Sequence, residues 1–412
     1  MRIVEINMMH VGSTGKIMFA IAELVREAGY DVKTLSPRYY QKKTKVDYKS
    51  IDNHKYFGTR SENYLHLRLA QITGFLGCFS AFGTQQLLYY LRVLKPDIVH
   101  LHNLHNWTIN HPMLFRYLRK NRIPVVWTMH DCWSFTGKCP YFTAAKCDKW
   151  KKGCSVCTQI REYPQGFIDN SKLMYRLKKK WFTGIENMVL VTPSNWLADL
   201  LHESYLREYP VRVINNGIDM SVFSPMVSES RIKYGIPEEK YIVLGVAFGW
   251  GYRKGLDTFL ELAKLLSEDY QIVLVGTDEN IDHQLPKNIV SIHRTHNQRA
   301  LAELYSAADV FVNPTREDNF PTVNIEALAC GTPVITFDTG GSPEIIDETC
   351  GMVVPCDDVN ALKEAIIDTV EQRKFSPEMC IKRASSFDMK VKFKEYVTLF
   401  ENITERKSDI NA

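Results

Sequence analysis

Apolar positions along the chain fall into two alternating rhythms. Short β-branched runs at residues 2–7, 32–35, 98–101, 125–129 and 188–193 read as strands. Between the first two, residues 17–28 space their apolar side chains at helical intervals and stop at Gly29, a C-terminal cap signal. The same grammar restarts in the second half. Runs at 242–247, 271–276, 290–293, 310–313 and 334–337 alternate with helical patterns at 258–266, 300–307 and 323–329. Such alternation implies parallel sheets flanked by helices. Residues 211–237 carry Asn216-Gly217 and Pro225 with little periodicity and read as a connector. The pattern therefore predicts an α/β protein of two domains, residues 1–210 and 211–388. A last amphipathic segment, 389–412, could cover either domain and is expected on the N-terminal one. Two such sheets facing one another would bring the carboxyl ends of their strands to a common central cleft, where open α/β sheets bind ligands.

The composition narrows the class. A chain of 412 residues with 45% apolar and 24% charged positions holds material for two cores, which excludes a disordered chain. Its 51 basic and 47 acidic residues leave +4, too small a surplus to argue for nucleic acid as a partner. The first apolar run contains Glu5 and no small-residue cleavage site, so it reads as a strand and not as a secretory signal. No stretch approaches the roughly 20 apolar residues of a spanning helix. A cytoplasmic protein is expected, which argues against a disulfide framework among its ten cysteines. Four of them, Cys139, Cys147, Cys154 and Cys157, are spaced C-x7-C-x6-C-x2-C in a Lys- and aromatic-rich insertion near residues 132–165. The closing C-x2-C suits two ligands of a structural zinc, with Cys132 a spare. Unpaired buried thiols, or a redox or iron–sulfur role, are the alternatives.

Candidate chemistry clusters after the strands. His10-Val11-Gly12-Ser13-Thr14-Gly15-Lys16 imitates a triphosphate loop, but two residues instead of four separate the glycines, and Ile17 replaces the magnesium-binding hydroxyl. Two readings of Gly15 remain: a glycine turn that admits a phosphate to the helix N-terminus, or an ordinary strand-to-helix turn. In the second half, residues 313–327 run from a strand through a polar loop with Glu317 and Asp318 into a helix that Pro321 suits at its first turn. Glu326 would lie one turn inside on the face of Thr322, where a carboxylate can accept both hydroxyls of a ribose, while Glu317 or Asp318 holds a second polyol. The alternative is helix capping by Asp318 or Asn319 with Glu326 in solvent. Arg253-Lys254-Gly255 sits between a strand and a helix, where cations can neutralise a diphosphate, and Thr339-Gly340-Gly341-Ser342 can offer N–H groups to the same anion.

His100, His102, His105 and His111 lie together after a strand and suit hydrogen bonds to sugar hydroxyls better than a metal. Trp107 and Trp133 suit either stacking on a sugar or core packing. Lys42, Lys43 and Lys45, the run Lys178-Lys179-Lys180, and the apolar residues 65–82 could approach anionic lipid headgroups.

In combination, residues 314–326 followed by Ala327-Leu328-Ala329-Cys330-Gly331-Thr332-Pro333-Val334, with Arg253-Lys254-Gly255 and Asn216-Gly217-Ile218-Asp219, resemble the retaining nucleotide-sugar glycosyltransferases of family 4. The resemblance extends over nearly the whole chain. It includes Asp97-Ile98-Val99-His100-Leu101-His102-Asn103, Thr128-Met129-His130-Asp131 and Pro193-Ser194-Asn195-Trp196. It implies the GT-B fold, two Rossmann-like domains facing a central cleft, with the nucleotide-diphosphate sugar donor bound mainly by the second. It implies Glu326 on the donor ribose, with Thr322 and Val323 beside it, Lys254 on the diphosphate, and His130 close to the transferred sugar. The first glutamate of the family's Glu-x7-Glu motif falls on Asp318, with Glu317 one residue earlier; the family's arginine five residues before its lysine falls on Gly249, leaving Arg253 as its candidate replacement.

No catalytic metal is implied, and no paired-aspartate motif is present to hold one. The expected function is transfer of a sugar to a glycan or lipid-linked acceptor in bacterial capsule, exopolysaccharide or O-antigen synthesis. The expected setting is the cytoplasm, with peripheral contact to the inner face of the plasma membrane. A GT-B nucleotide-sugar epimerase and a non-catalytic zinc-bearing scaffold are the alternatives.

Overall fold

Strands buried on both faces lose the alternation of half-exposed ones and become unbroken apolar runs. The central strands of this chain have that character, as in Val125–Thr128, Tyr270–Val275 and Val334–Phe337, where every residue is buried. A computed structural model describes residues 1–38 and 51–411. The chain divides into two units, Met1–Ile214 with Phe393–Ala412, and Asn215–Lys392.

The first unit contains β1 (Arg2–Ile6), β2 (Asp31–Pro37), β3 (His54–Phe57), β4 (Ile98–Leu101), β5 (Val125–Thr128), β6 (Met188–Thr192) and β7 (Val211–Val213) in the order β3-β2-β1-β4-β5-β6-β7. The second contains β8 (Tyr241–Val246), β9 (Tyr270–Val275), β10 (Ile289–Ile292), β11 (Val310–Asn313), β12 (Val334–Phe337) and β13 (Gly351–Val354) in the order β10-β9-β8-β11-β12-β13. All these pairings are parallel. The direction of winding reverses between β1 and β4, and again between β8 and β11. Loops at the carboxyl ends of such strand pairs diverge and leave a crevice for ligands.

Helices cover the sheets with their apolar stripes. Gly12–Glu27 buries Ile17, Met18, Ile21, Leu24 and Val25, and the chain leaves it through Gly29 at φ +85°, a backbone region that side chains with a Cβ rarely adopt. Ser171–Phe182 buries Met174, Tyr175, Lys178 and Phe182 at the same helical spacing. Lys178 is thus no part of a solvated basic face, contrary to the sequence expectation. It is fully buried, donates to the Trp133 carbonyl and lies 3.5 Å from the centre of that indole, and burial pulls its ammonium down to about 7. Lys179 and Lys180 are exposed, whereas Lys42, Lys43 and Lys45 lie outside the described residues. Among the described residues, no helix is long and apolar enough to cross a membrane.

Two segments differ from the sequence reading in instructive ways. The expected connector begins with β7, an edge strand of three residues on β6, so the first unit runs to Ile214 and not to 210. Beyond it, Ile218 bridges Asp388, and a Cβ on Gly217 would sit 2.4 Å from Met389 Cα. The Asn216-Gly217-Ile218-Asp219 motif thus ties the two ends of the second unit together. The last helix, Lys394–Asn411, groups with the first unit and lays Tyr396 and Phe400 beside the His100 ring.

Candidate active site

In the second unit the residues singled out from sequence meet at the carboxyl ends of β8 and β11. After β8 the chain makes a short turn of 3-10 helix, Tyr252–Lys254, and enters the helix Leu256–Leu265 through Gly255. Gly255 has φ +76°, and a Cβ there would lie 2.4 Å from the Pro314 carbonyl oxygen, so only glycine lets this turn pass under the loop that follows β11. Arg316 N–H donates to the Arg253 carbonyl, and Arg253 Nη1 donates to the Glu317 carbonyl at 3.2 Å. The two loops are thereby laced along their backbones. Lys254 Nζ then reaches Asp318 Oδ2 at 2.5 Å, an ion pair whose side chains are 17% and 23% exposed.

A third loop closes on the main chain of the same residue. Gly341 N–H donates to the Asp318 carbonyl, and Gly340 approaches so closely that a Cβ would lie 1.9 Å from that oxygen. Thr339 Oγ1 donates to the Thr315 carbonyl at 2.6 Å. The helix Thr322–Ala329 has Pro321 at its N-cap, which supplies no side-chain cap. Thr322, Val323 and Glu326 are all half-buried, and Tyr305 OH donates to Glu326 Oε2 at 3.2 Å. Glu317 is buried, whereas Asp318 is half-buried and is the carboxylate on Lys254.

Arg316 was not singled out from sequence, yet it fixes the geometry. Its guanidinium makes two 2.8 Å bonds to the Asp257 carboxylate, one of 2.6 Å to Asp357, one to the Tyr252 carbonyl, and stacks 3.9 Å from the Tyr252 ring. Those carboxylates raise its affinity for its proton further. The forked, buried cation pins the loop between β11 and the helix, so Asp318 and Lys254 are presented by a rigid frame. The only signal in the sequence is a cation beside two acids, which is commonplace on surfaces.

The first unit brings together a second set. His130 follows β5 and is half-buried, with its Nε2 3.0 Å from His102 Nδ1. His100, His102, His105 and His111 are buried and not open on a loop surface as their grouping suggested. His105 bonds Asp131 at 2.7 Å and Tyr163 OH at 3.1 Å, and His111 bonds the Leu104 carbonyl. Burial pulls the His130 imidazole down to about 4, so it is neutral at physiological pH. Trp133 is in the core and Trp107 packs at its edge. Gly15 lies inside the first turn of its helix, where a Cβ would stand 2.6 Å from the His10 carbonyl carbon; close packing of helix on loop already demands a glycine.

The four spaced cysteines are all free, with Cys139 buried and the other three half-buried. Burial and the neighbouring thiols push Cys139 up to about 12, and burial pushes Cys154 up to about 11. Gly137 N–H donates to Cys154 Sγ at 3.1 Å. Among the described residues, the one group of three or more candidate ligands with ligand atoms within 4.8 Å of one another is Glu5, His100 and His102; the cysteine sulfurs are not drawn that close.

Two doubly wound parallel-sheet units, the second with a paired cation and carboxylate above its switch point, have the arrangement expected of a nucleotide-sugar glycosyltransferase of the GT-B class. Family comparison agrees in both halves. Residues 15–222 match the model of Glycosyltransferase Family 4, and residues 226–387 match that of Glycosyl transferases group 1; the chain belongs to glycosyltransferase family 4. It is similar to WcaC of Escherichia coli, assigned as a colanic acid biosynthesis glycosyl transferase, at 25% identity over 78% of this chain and 81% of that one. It is also similar, at 27% identity over 58% of this chain and 64% of the relative, to the N,N'-diacetylbacillosaminyl-diphospho-undecaprenol alpha-1,3-N-acetylgalactosaminyltransferase of Campylobacter jejuni. Among solved structures, Anabaena HepE in complex with UDP and glucose shares the fold, with a TM-score of 0.65, 15% identity and coverage of 99% of this chain and 100% of the other.

Proposed function

We propose that the protein transfers a sugar from a nucleoside-diphosphate donor to a glycan or a lipid-linked acceptor in the assembly of a bacterial surface polysaccharide. The observation that carries this reading is the Lys254–Asp318 pair held between the loops after β8 and β11. Heterolysis of the bond between the anomeric carbon and the phosphate leaves positive charge on the sugar and negative charge on the diphosphate. Lys254, Arg253 and the N–H groups of Gly340, Thr322 and Val323 are the groups to stabilise the departing anion. Glu326, one turn into its helix, takes the ribose hydroxyls, and Asp318 takes the sugar hydroxyls. Lys254 can leave Asp318 for the diphosphate without a new cation being brought in. In the first unit, His130 is the residue that the family resemblance implies lies close to the transferred sugar. The acceptor classes are supported by the names of the two relatives above, one named for colanic acid biosynthesis and the other for an undecaprenol-linked saccharide.

Two further assignments belong to this reading. A lipid-linked acceptor calls for contact with a membrane surface. The helices Arg60–Thr73 and Ala81–Leu94 expose Leu65, Ile72, Phe82, Tyr89 and Val93, with Arg68, Arg92 and Lys95 exposed among them. A structural zinc on Cys139, Cys147, Cys154 and Cys157 suits four thiols in one insertion and would convert them to thiolates. The function is tested by incubating the enzyme with a panel of nucleotide sugars and lipid-linked or oligosaccharide acceptors, alongside Lys254→Ala and Glu326→Ala. Transfer that both substitutions reduce by at least about a hundredfold is expected. Epimerisation without an acceptor, or turnover indifferent to both residues, would remove the assignment.

A further inference from the structure

An acidic residue in the first apolar strand of the chain is out of place in a doubly buried β1, and Glu5 is fully buried there. The register sets Glu5 opposite His100 on β4, and the two-residue period of a strand carries His102 to the same face. All three side chains are closed to solvent. Glu5 Oε2 lies 3.3 Å from His102 Nε2, and His102 Nδ1 lies 3.0 Å from His130 Nε2. His102 and His130 stack in near-parallel planes at 5.3 Å, which keeps the two rings in line. One continuous row of hydrogen bonds therefore joins a buried carboxyl to the half-exposed His130 at the end of β5.

The chemistry of the row allows two polarities. A neutral imidazole has one donor and one acceptor nitrogen, so whatever Glu5 does to His102 is passed on to His130. An ionised Glu5 would accept from His102 Nε2, forcing His102 Nδ1 to accept from His130 Nε2–H. A protonated Glu5 would donate to His102 Nε2, and His102 Nδ1–H would donate to His130 Nε2. The surroundings select the second. Glu5 Oε1 has no hydrogen-bond partner, and the nearest nitrogen on that side, His100 Nδ1, lies 3.6 Å away and is likewise unpartnered. Among the described residues no lysine or arginine makes an ion pair with Glu5, and the pull of His102 and Arg26 only partly offsets the desolvation of a charge in so buried a place. A proton on Oε1 would find no acceptor, whereas on Oε2 it meets His102. Burial accordingly raises the Glu5 carboxyl and draws His102 down to about 3.

We propose that Glu5 is a positioning residue: its protonated carboxyl donates to His102 Nε2, His102 Nδ1–H donates to His130 Nε2, and the ring proton of His130 is thereby fixed on Nδ1. The His130 imidazole then has a set tautomer and a set plane, which removes the cost of selecting them during the reaction. Its catalytic meaning rests on the placing of His130 in the sugar-transfer site, while the relay itself does not.

The test uses the full-length chain labelled with 15N-histidine at pH 7, with long-range proton–nitrogen correlations reporting each ring's tautomer and a His130→Gln sample assigning the signal. Wild type should show His130 protonated on Nδ1 alone. Glu5→Gln, whose amide can donate as the carboxyl does, should keep that tautomer and near-wild-type transfer. Glu5→Met should leave His130 in mixed tautomers and lower kcat by about tenfold or more, with the donor KM little changed. His130 protonated on Nε2 or on both nitrogens in wild type, or a tautomer indifferent to Glu5→Met, would overturn the relay. The wild-type spectrum decides even where a variant fails to fold. A correct tautomer in an enzyme that transfers no sugar would instead sink the functional reading and leave the relay standing.

Discussion

Asp318→Asn should make the protein bind a nucleoside diphosphate more tightly while it transfers sugar more slowly. The substitution keeps the side chain's shape and removes its charge. Lys254 Nζ is held 2.5 Å from Asp318 Oδ2, with side chains 17% and 23% exposed. A pair so shielded exceeds the 0–1 kcal/mol of exposed pairs and falls short of a fully buried one, so about 1–2 kcal/mol is reasonable. A diphosphate must draw the ammonium from Asp318 and also accept a carboxylate nearby. Freed of both demands, Lys254 in Asp318→Asn should tighten UDP or GDP binding by about five- to tenfold, or about 1 kcal/mol. Loss of the charged acceptor for the sugar hydroxyls should cut transfer from the whole nucleotide sugar by about a hundredfold. Titration calorimetry with each diphosphate, run beside initial rates, separates the two effects, and Lys254→Met should weaken the same binding. Unchanged or weaker diphosphate affinity in Asp318→Asn would refute the idea that this carboxylate competes for the lysine.

Gly340→Ala should destabilise the second unit by about 2 kcal/mol or more in urea unfolding and weaken diphosphate binding, because φ is +58° and the added methyl would collide with the Asp318 carbonyl. Acid should destabilise the first unit well before carboxylates titrate. His66, His100, His102 and His111 are drawn by burial to about 3, and His54 and His130 to about 4, below the unfolded 6.5, so the unfolded chain binds more protons and stability falls as pH drops through 6.5. Glu5, raised by burial, acts in the opposite sense, but six histidines outweigh one carboxyl; stability should fall by several kcal/mol from pH 7 to 5.5, and a flat urea midpoint over that range would contradict it. Protein purified without added metal should contain one zinc per chain, removable at a cost in thermal stability; absence of stoichiometric zinc would leave Cys139, Cys147, Cys154 and Cys157 as plain thiols. Anionic vesicles should co-sediment the protein at low salt and lose it on a Leu65→Glu, Phe82→Glu double substitution, whereas neutral vesicles should not bind it.

The sequence was most readable where burial is most complete. The central strands β1, β4, β5, β8, β9, β11 and β12 appear as apolar runs because neither face meets water, and each was placed to within about two residues. The edge strands β3, β7 and β13 were missed: His54–Phe57 mixes polar with aromatic positions, Val211–Val213 is three residues long, and Gly351–Val354 opens with a glycine. The loops after β8, β11 and β12 that meet around Asp318 were picked out through composition, since a lysine, two carboxylates and paired glycines after strands have few structural uses in common. Arg316 and Glu5 were missed as site residues because their meaning lies in what crosses from another strand or loop. The burial of Lys178 was hidden by a run of three identical residues, although its spacing from Met174 and Phe182 contained the answer.

The return of the last helix to the first unit has a consequence for how the molecule is made. A ribosome delivers residues 1–214 first, then the whole contiguous second unit, and only then the segment from Phe393 onward. Until that moment the first sheet lacks Tyr396 and Phe400, the rings that lie against His100, and Tyr396 has yet to meet Thr128. The part synthesised first is therefore the part completed last, and the second unit can close around its own core while the nascent first unit still exposes apolar surface. A truncation that spares every residue of the donor site but stops short of Phe393 would leave the half of the enzyme that contains His130 unfinished.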